Sequence, residues 1–248
     1  SCQRNMSLFK IGEFRKIYDP SIGEKEDWYI NDHAIIRGKD GLYHLFGTTG
    51  TEPKNKENIH LYIDADKEKF LAHATSPDLL KTPWKKEAFP LEASEKFGEV
   101  HIWAPYVVES DGIYYMFYAV GDTEKKSNSK IHLATSTDLF HWKRHPKNPV
   151  VTDKNARDPF VVKVGNEWVM HYTMNDTDKG GFLVVAYRKS KDLLNWGERS
   201  ISFYDPKNGV GSESPAIFQI EKKYYLFVGP RPGKSGKMFG TEIFESEN

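Results

Sequence analysis

Three segments of the chain repeat one short pattern, and this internal repeat restricts the folds that the sequence can form. Each segment ends in Asp-Leu and is followed within a few residues by a tryptophan. The segments are residues 74–79, 134–139 and 187–193, and the tryptophans are Trp84, Trp142 and Trp196. Self-similarity with aromatic residues in fixed places predicts a propeller or a solenoid.

Each Asp-Leu segment is preceded by the sequence signature of a β-hairpin. A short apolar run, a tight turn and a run of aromatic and β-branched residues follow one another, and the same order recurs near the C-terminus. A third strand is expected to lead into each Asp-Leu segment, and a fourth strand to begin at each tryptophan. These fourth strands are predicted at residues 84–86, 142–144 and 196–198. Four antiparallel strands per repeat form the blade of a β-propeller.

We therefore predict an all-β fold, a five-bladed β-propeller in one domain over residues 1–248. The blades begin near residues 28, 100, 155 and 211. The 34 residues that follow Ser214 suffice for about three strands, so the last blade is expected to be missing from this sequence. A four-bladed propeller, closed by an N-terminal strand at residues 8–18, is the alternative.

Alignment of the first strands places acidic residues at equivalent or adjacent positions. Asp32, Ala104, Asp158 and Ser214 share one column, and Glu213 precedes Ser214 directly. Since the innermost strands of a propeller run in the same direction around a central channel, these positions should meet at one mouth of that channel. Glycoside hydrolysis needs one carboxylic acid that protonates the leaving oxygen, and a second carboxylate that activates water or attacks the anomeric carbon. Three converging acids therefore indicate a glycosidase.

The ordered motifs around these acids resemble those of the five-bladed glycoside hydrolases of families 43 and 32. The motifs are Asn31-Asp32, Ile102-Trp103-Ala104-Pro105, Arg157-Asp158-Pro159 and Glu213-Ser214-Pro215. The resemblance implies that Glu213 is the general acid and that Asp158 stabilises the transition state or modulates a neighbouring pKa. It makes Asp32 either the general base of an inverting enzyme, as in family 43, or the nucleophile of a retaining enzyme, as in family 32.

The residues after Asp32 depart from both families, because His33 and Ala34 stand where each has a proline-containing motif. The motif around Trp103 looks more like family 43, so we expect an inverting enzyme, with a retaining fructanase-like hydrolase as the alternative. A phosphorylase-like propeller would need more basic residues near Asp32 than Arg157. A non-catalytic carbohydrate-binding propeller would be favoured if Glu213 pointed away from the channel.

Residues that flank the acids are candidates for substrate binding. Trp28 and Trp103 could stack on a sugar face, with packing against a neighbouring blade as the alternative. Asn31, His33 and Arg157 offer polar contacts at the same mouth of the channel. For the three repeat tryptophans, packing within the propeller is expected instead.

Composition argues against other classes of partner. With 35 basic and 35 acidic residues the chain offers no electrostatic footprint for nucleic acid, and it contains no apolar stretch of the ~20 residues that a membrane-spanning helix needs. We expect a monomer that requires no cofactor and acts on plant-type oligo- or polysaccharides. A structural calcium ion could occupy the channel, although no spacing resembles a calcium or zinc motif.

The single cysteine bears on location. Cys2 resembles the lipid-modified cysteine of bacterial lipoproteins, so we expect a secreted, periplasmic or cell-surface lipoprotein of a bacterium. The alternative is that the position of Cys2 has no such meaning. One cysteine also excludes a disulfide bond within these 248 residues.

Overall fold

The computed structural model describes residues 12–51, 67–121, 128–206, 212–229 and 240–247, and its regular structure is almost entirely β-strand. Within these ranges the strands form four separate antiparallel sheets. The helical elements of the same ranges are two short 3-10 helices, Glu95–Phe97 and Thr177–Lys179. The predicted all-β class is confirmed.

Each sheet is a meander in which the strands pair in chain order. Sheet 1 contains β1 (Trp28–Arg37), β2 (Tyr43–Thr51), β3 (Phe70–Ser76) and β4 (Lys85–Lys86). Sheet 2 contains β5 (His101–Ser110), β6 (Ile113–Gly121), β7 (Lys130–Ser136) and β8 (Lys143–Arg144). Sheet 3 contains β9 (Arg157–Val164), β10 (Glu167–Asp176), β11 (Phe182–Ser190) and β12 (Ser200–Phe203). Sheet 4 contains β13 (Ala216–Ile220), β14 (Lys223–Val228) and β15 (Glu242–Ser246).

This arrangement is that of propeller blades. The first strands β1, β5 and β9 contact their neighbours in succession, which places them on the inside. Sheets 1 to 3 have the four strands predicted for a blade, and sheet 4 has three in the described part of the chain. Four sheets do not confirm the predicted total of five blades.

A non-glycine residue with positive φ interrupts the start of each sheet at the position that the sequence alignment singled out. The φ angle is 22° at Asp32, 46° at Ala104, 55° at Asp158 and 49° at Ser214. In sheets 1 to 3 the pairing of the first strand with the second shifts register at this point. Such a bulge takes the side chain out of the regular alternation of the strand. At this position the backbone of the repeat therefore has the same irregular conformation in all four sheets.

The repeat tryptophans pack within the propeller, as predicted. The ring centroids of Trp142 and Phe46 on β2 lie 5.5 Å apart. Trp196 meets Phe117 on β6 at the same distance, again edge to face. Trp84 is buried in a cluster on sheet 1. The first two contacts join sheet 2 to sheet 1 and sheet 3 to sheet 2, whereas Trp84 packs within sheet 1.

The interface between sheets 3 and 4 differs from the two earlier interfaces. Counted from the bulge, His171 occupies on β10 the place that Phe46 and Phe117 occupy on β2 and β6. A cavity of about 1000 Å³, lined among others by His171, Tyr187 and Tyr224, lies between these sheets. Burial lowers the pKa of His171 to about 4, so its ring is neutral at physiological pH. Sheet 4 is thus packed less closely than the sheets before it.

The outer strand of sheet 3 begins later than predicted. The expected strand at residues 196–198 is replaced by β12, which begins at Ser200. Gly197 lies outside regular structure instead, although its N–H donates to the carbonyl of Lys189 at 2.9 Å and its carbonyl accepts from Arg188 at 2.5 Å.

The alternative of an N-terminal strand that closes a four-bladed propeller is wrong for the described part of that segment. Residues 12–18 form no strand. The carbonyl of Ile17 accepts a hydrogen bond from the Trp84 N–H at 2.8 Å, and Tyr18 is buried against the same tryptophan. The segment is therefore packed on sheet 1. Residues 8–11 and Cys2, with its predicted lipid anchor, lie outside the described residues.

A buried ion pair stabilises the loop that leads into β5. Glu99 accepts hydrogen bonds from the Tyr118 hydroxyl at 2.8 Å and from Arg144 Nε at 2.9 Å, and its side chain is fully buried. An equivalent cluster in sheet 3 is built from Asp153, Tyr172 and Arg188. In both cases the acid stands five residues before the positive-φ residue. The clusters therefore hold the chain in place just ahead of each bulge.

Replacement of Glu99 tests this role. Glu99→Ala leaves Arg144 without its carboxylate in a largely buried setting, so we expect the free energy of unfolding to fall by about 3–5 kcal/mol. Thermal unfolding followed by circular dichroism measures the change. Glu245→Ala, which removes an exposed ion pair with Lys223, is the control and should leave the Tm unchanged. Equal Tm values for both variants would show that the Glu99 cluster does not support the fold.

Candidate active site

The three acids predicted from the repeat come together in the structure. The charges of Asp158 and Glu213 both act on Asp32. Oδ2 of Asp158 accepts a hydrogen bond at 3.1 Å from the backbone N–H of Ser214, the residue after Glu213. The site is thus formed by the middle of β1, the start of β9 and the turn before β13. In sheet 2 the corresponding residue is Ala104, which adds no charge.

Arg157 is the positive charge of this cluster. Its Nη2 donates to Oε1 of Glu213 at 2.5 Å, and its Nε lies 4.0 Å from Oδ2 of Asp158. A further hydrogen bond, from Nη1 of Arg157 to the carbonyl of Asn155 at 3.1 Å, fixes the guanidinium group. The side chain of Glu213 is 34% exposed and that of Asp158 only 12%, so Glu213 is the more accessible of the two.

Asp158 is the deeply buried member of the cluster. Burial raises its pKa above the ordinary value of an aspartate. The charge of Arg157 acts against this shift, as do hydrogen bonds from the Ser214 N–H and the Thr173 hydroxyl, whereas Glu213 adds to it. These contacts hold the carboxyl group of Asp158 in one orientation.

Asp32 has the most strongly altered acidity of the three. Burial is the largest cause and, together with the charges of Asp158, Glu68 and Glu213, raises its pKa to about 7, while Arg157 acts in the opposite direction. Like charges this close cannot all be ionised without cost. Near neutral pH Asp32 is therefore poised between its protonated and ionised forms, as a group that exchanges protons in catalysis must be.

Glu68 belongs to the site although sequence reasoning did not find it. It stands between Lys67 and Lys69, in a charged stretch that resembles a solvated loop. In the structure it is buried and accepts hydrogen bonds from the Tyr29 hydroxyl at 2.8 Å and from Trp103 Nε1 at 2.6 Å. No local pattern distinguishes it from its neighbours, so only the packing of sheet 2 on sheet 1 reveals it.

The two tryptophans predicted to bind sugar have different surroundings. Trp103 is partly exposed beside Glu68 and stacks on His101 at 5.4 Å between ring centroids. Trp28 packs against Phe70 and Phe89, at 6.0 and 5.4 Å. Both tryptophans are thus partly exposed and packed against aromatic rings, and Trp103 in addition lies beside Glu68, so sugar binding stays a prediction for both.

The polar residues predicted to bind substrate flank Asp32 on both sides. Asn31 precedes the bulge, is half-buried and pairs with Thr48 on β2. His33 follows the bulge and is exposed. Their contacts with substrate, like those of Arg157, stay predictions.

Two observations concern metals and membranes. Among the residues that the structure describes, no group of three or more His, Cys, Asp or Glu side chains could hold a metal ion. A structural calcium ion in the channel stays a prediction. A search of the same residues for a helix of sufficient length and apolar character to cross a membrane finds none.

The acidity of Asp32 has a consequence for stability. Because its pKa is raised in the folded protein, the folded state binds this proton more tightly than the unfolded chain, and stability falls as the pH rises through about 7. Asp32→Asn removes the buried charge, and asparagine tolerates positive φ. We expect the free energy of unfolding to rise by on the order of 2–4 kcal/mol at about pH 8 and to change little at about pH 4.

Denaturant unfolding of both proteins at the two pH values measures this difference. Asp111→Asn is the matched control, since Asp111 also has positive φ but is exposed in a turn. A gain that is equal at both pH values would contradict the raised pKa of Asp32.

Comparison with protein families gives one match over most of the chain. The model described as "Glycosyl hydrolases family 32 N-terminal domain" matches residues 24–244. A probable sucrose-6-phosphate hydrolase of Psychromonas ingrahamii is 25% identical over 228 residues, which cover 84% of this chain and 38% of that protein. Arabinan endo-1,5-alpha-L-arabinosidase A of Aspergillus niger is 27% identical over 210 residues, 79% of this chain and 57% of that protein. The chain thus spans about two fifths to three fifths of these relatives.

Solved structures show the same fold. A family 32 beta-fructofuranosidase of Bombyx mori has a TM-score of 0.65 and 18% identity, covering 87% of this chain and 46% of that one. A thermostable family 43 glycoside hydrolase has a TM-score of 0.67 and 18% identity, covering 89% and 70%. The resemblance to families 43 and 32 is confirmed, although the sequence motifs had favoured family 43. The family match shows that this chain belongs, over residues 24–244, to the N-terminal domain of glycosyl hydrolase family 32.

Proposed function

We propose that the protein hydrolyses O-glycosidic bonds of oligo- or polysaccharides, with Glu213 as general acid, Asp32 as nucleophile and Asp158 as stabiliser of the transition state. The observation that carries the proposal is the meeting of these three carboxyl groups around Arg157. Family membership supports it. Glu213 contacts Arg157 within the cluster, which is not the outward orientation that a non-catalytic propeller would favour.

The proton of the cluster is shared, since coupled carboxyl groups titrate as a unit. In the free protein Glu213 is bonded to Arg157, while the pKa values of Asp32 and Asp158 are raised. We propose that substrate hydroxyl groups replace Glu213 at Arg157. The proton then moves to Glu213, and Asp32 is left ionised.

Hydrolysis then takes two steps. Asp32 attacks the anomeric carbon and forms a glycosyl–enzyme ester, while Glu213 gives its proton to the departing oxygen. Water next attacks the same carbon, Glu213 takes up a proton from it, and the Asp32 carboxylate is released. Asp158 faces the positive charge that develops on the sugar ring. Its carboxyl group is already oriented by the Ser214 N–H and the Thr173 hydroxyl.

The substrate class that we propose is the furanosides. The solved relatives include a beta-fructofuranosidase and a protein described as a beta-xylosidase/alpha-arabinofuranosidase. These descriptions name three activities, and two of them, those of the fructofuranosidase and the arabinofuranosidase, act on sugars with a five-membered ring. A monomeric state and a location at the cell surface or outside the cell belong to the same proposal.

An inverting reaction, in which Asp32 activates water, is the second candidate. The motif around Trp103 and the similarity to arabinan endo-1,5-alpha-L-arabinosidases favour it. The stereochemistry of the first-formed product separates the two reactions.

Proton NMR of the first-formed sugar tests the nucleophile. The protein is screened on aryl arabinofuranosides, aryl xylosides and fructans, and the substrate that is cleaved is then followed in the spectrometer. We expect the product to have the same anomeric configuration as the substrate, because two displacements at one carbon restore it. A product of opposite configuration would assign Asp32 as the base that activates water.

Glu213→Gln tests the proton donor. The amide cannot donate the proton that the leaving oxygen needs, so we expect kcat to fall by roughly 10²–10⁴-fold on natural linkages while the fold is kept. Steady-state kinetics and circular dichroism measure both properties. Glu221→Gln, in an exposed turn of the same sheet, is the control and should keep full activity. Full activity of Glu213→Gln would refute the assigned role, and glycan binding without turnover in the wild type would favour a binding module.

A further inference from the structure

Glu68 is a buried carboxylate that joins sheets 1 and 2 beside Asp32. It is 3% exposed. Its Oε1 accepts from the Tyr29 hydroxyl at 2.8 Å, and its Oε2 accepts from Trp103 Nε1 at 2.6 Å. Its backbone carbonyl also accepts, from the N–H of Ile102 at 3.1 Å. Both its side chain and its backbone are therefore tied to the strand that carries Trp103.

Charged groups from several elements act on Asp32. Asp158 and Arg157 do so from β9, Glu213 from the turn before β13, and Glu68 from the segment before β3. Arg157, Glu213 and Asp158 are the members of this set that the proposed reaction engages directly. Glu68 differs, because each of its carboxylate oxygens is held by an uncharged donor of the protein. Its charge therefore stays in place through the reaction.

Trp103 is held by more than its bond to Glu68. Its ring stacks on buried His101 with an interplanar angle of 15°. On another side the indole lies against Gly121. A Cβ atom added to this glycine would lie only 2.6 Å from the indole ring. The indole therefore has one orientation, and Glu68 determines where its N–H points.

We propose that Glu68 is a positioning residue of the active site, which acts as a fixed negative charge beside Asp32 and as the anchor of the Trp103 indole. It touches neither substrate nor the reacting atoms. The inference rests on the proposed function in so far as Asp32 is a reacting group, and on the predicted contact of Trp103 with the sugar. Two consequences follow, one for the acidity of Asp32 and one for substrate binding.

Glu68→Gln tests the charge. Removal of a nearby negative charge makes ionised Asp32 less unfavourable, so the free protein should lose the proton of Asp32 at lower pH. Because that is the proton that moves to Glu213 and on to the leaving oxygen, the alkaline limb of the kcat/KM profile should move by about one unit to lower pH. Glu92→Gln, the same change at an exposed position, is the control and should leave the profile where it is. An unchanged alkaline limb in Glu68→Gln would overturn the proposal.

A measurement without turnover separates this inference from the proposed function. Infrared difference spectra between each protein and its Asp32→Asn variant report the carboxyl band of Asp32 during a pH titration. If the band titrates at lower pH in Glu68→Gln, the inference holds even where no glycoside is cleaved. If it titrates at the same pH as in the wild type, the inference fails whatever the activity.

Glu68→Asp tests the anchor and remains informative if the glutamine variant does not fold. It keeps the charge, but the shorter side chain cannot reach both donors. We expect KM to rise roughly three- to tenfold, the equivalent of one lost hydrogen bond, with kcat nearly unchanged. An unchanged KM would show that Glu68 does not position Trp103.

Discussion

The residue with positive φ in or just before the first strand of each sheet is the constraint on which the rest of this molecule depends. A side chain in this conformation costs about 1–3 kcal/mol and persists only where its surroundings enforce it. Here the same position is bent in four sheets, at Asp32, Ala104, Asp158 and Ser214. Where the repeat carries an aspartate, the bulge turns it out of the strand alternation and into the cluster. The backbone strain and the placement of the proposed catalytic aspartates thus arise from the same residue conformation.

The carboxylate cluster is assembled at an energetic cost that the fold has to offset. Asp158, Glu68 and Glu213 all act on Asp32, with Arg157 as the positive charge among them. Such arrangements are typical of functional sites, because groups poised near neutral pH are those that can exchange protons. The apolar contacts of Phe46 with Trp142 and the buried Glu99 cluster stabilise the sheets that hold these charges together.

Much of this could be predicted from the sequence because repeats make equivalent positions visible. The spacing of the Asp-Leu segments predicted the blades, and the alignment of first strands predicted that Asp32 and Asp158 would be equivalent. Glu68 could not be predicted, since nothing in a lysine-rich stretch indicates burial. Trp28 and Trp103 look alike in the sequence, yet one packs against phenylalanines and the other lies beside the acids.

The sequence by itself determined the all-β class, the order of the strands and the identity of the converging acids, because local periodicity and internal repetition record these. The tertiary structure decided which charged groups lie close together and how they affect one another. The bond from Arg157 to Glu213, the raised pKa of Asp32 and the place of Glu68 all depend on distances between residues far apart in the chain. Electrostatic energies vary with separation and burial, and only the packed sheets set these quantities.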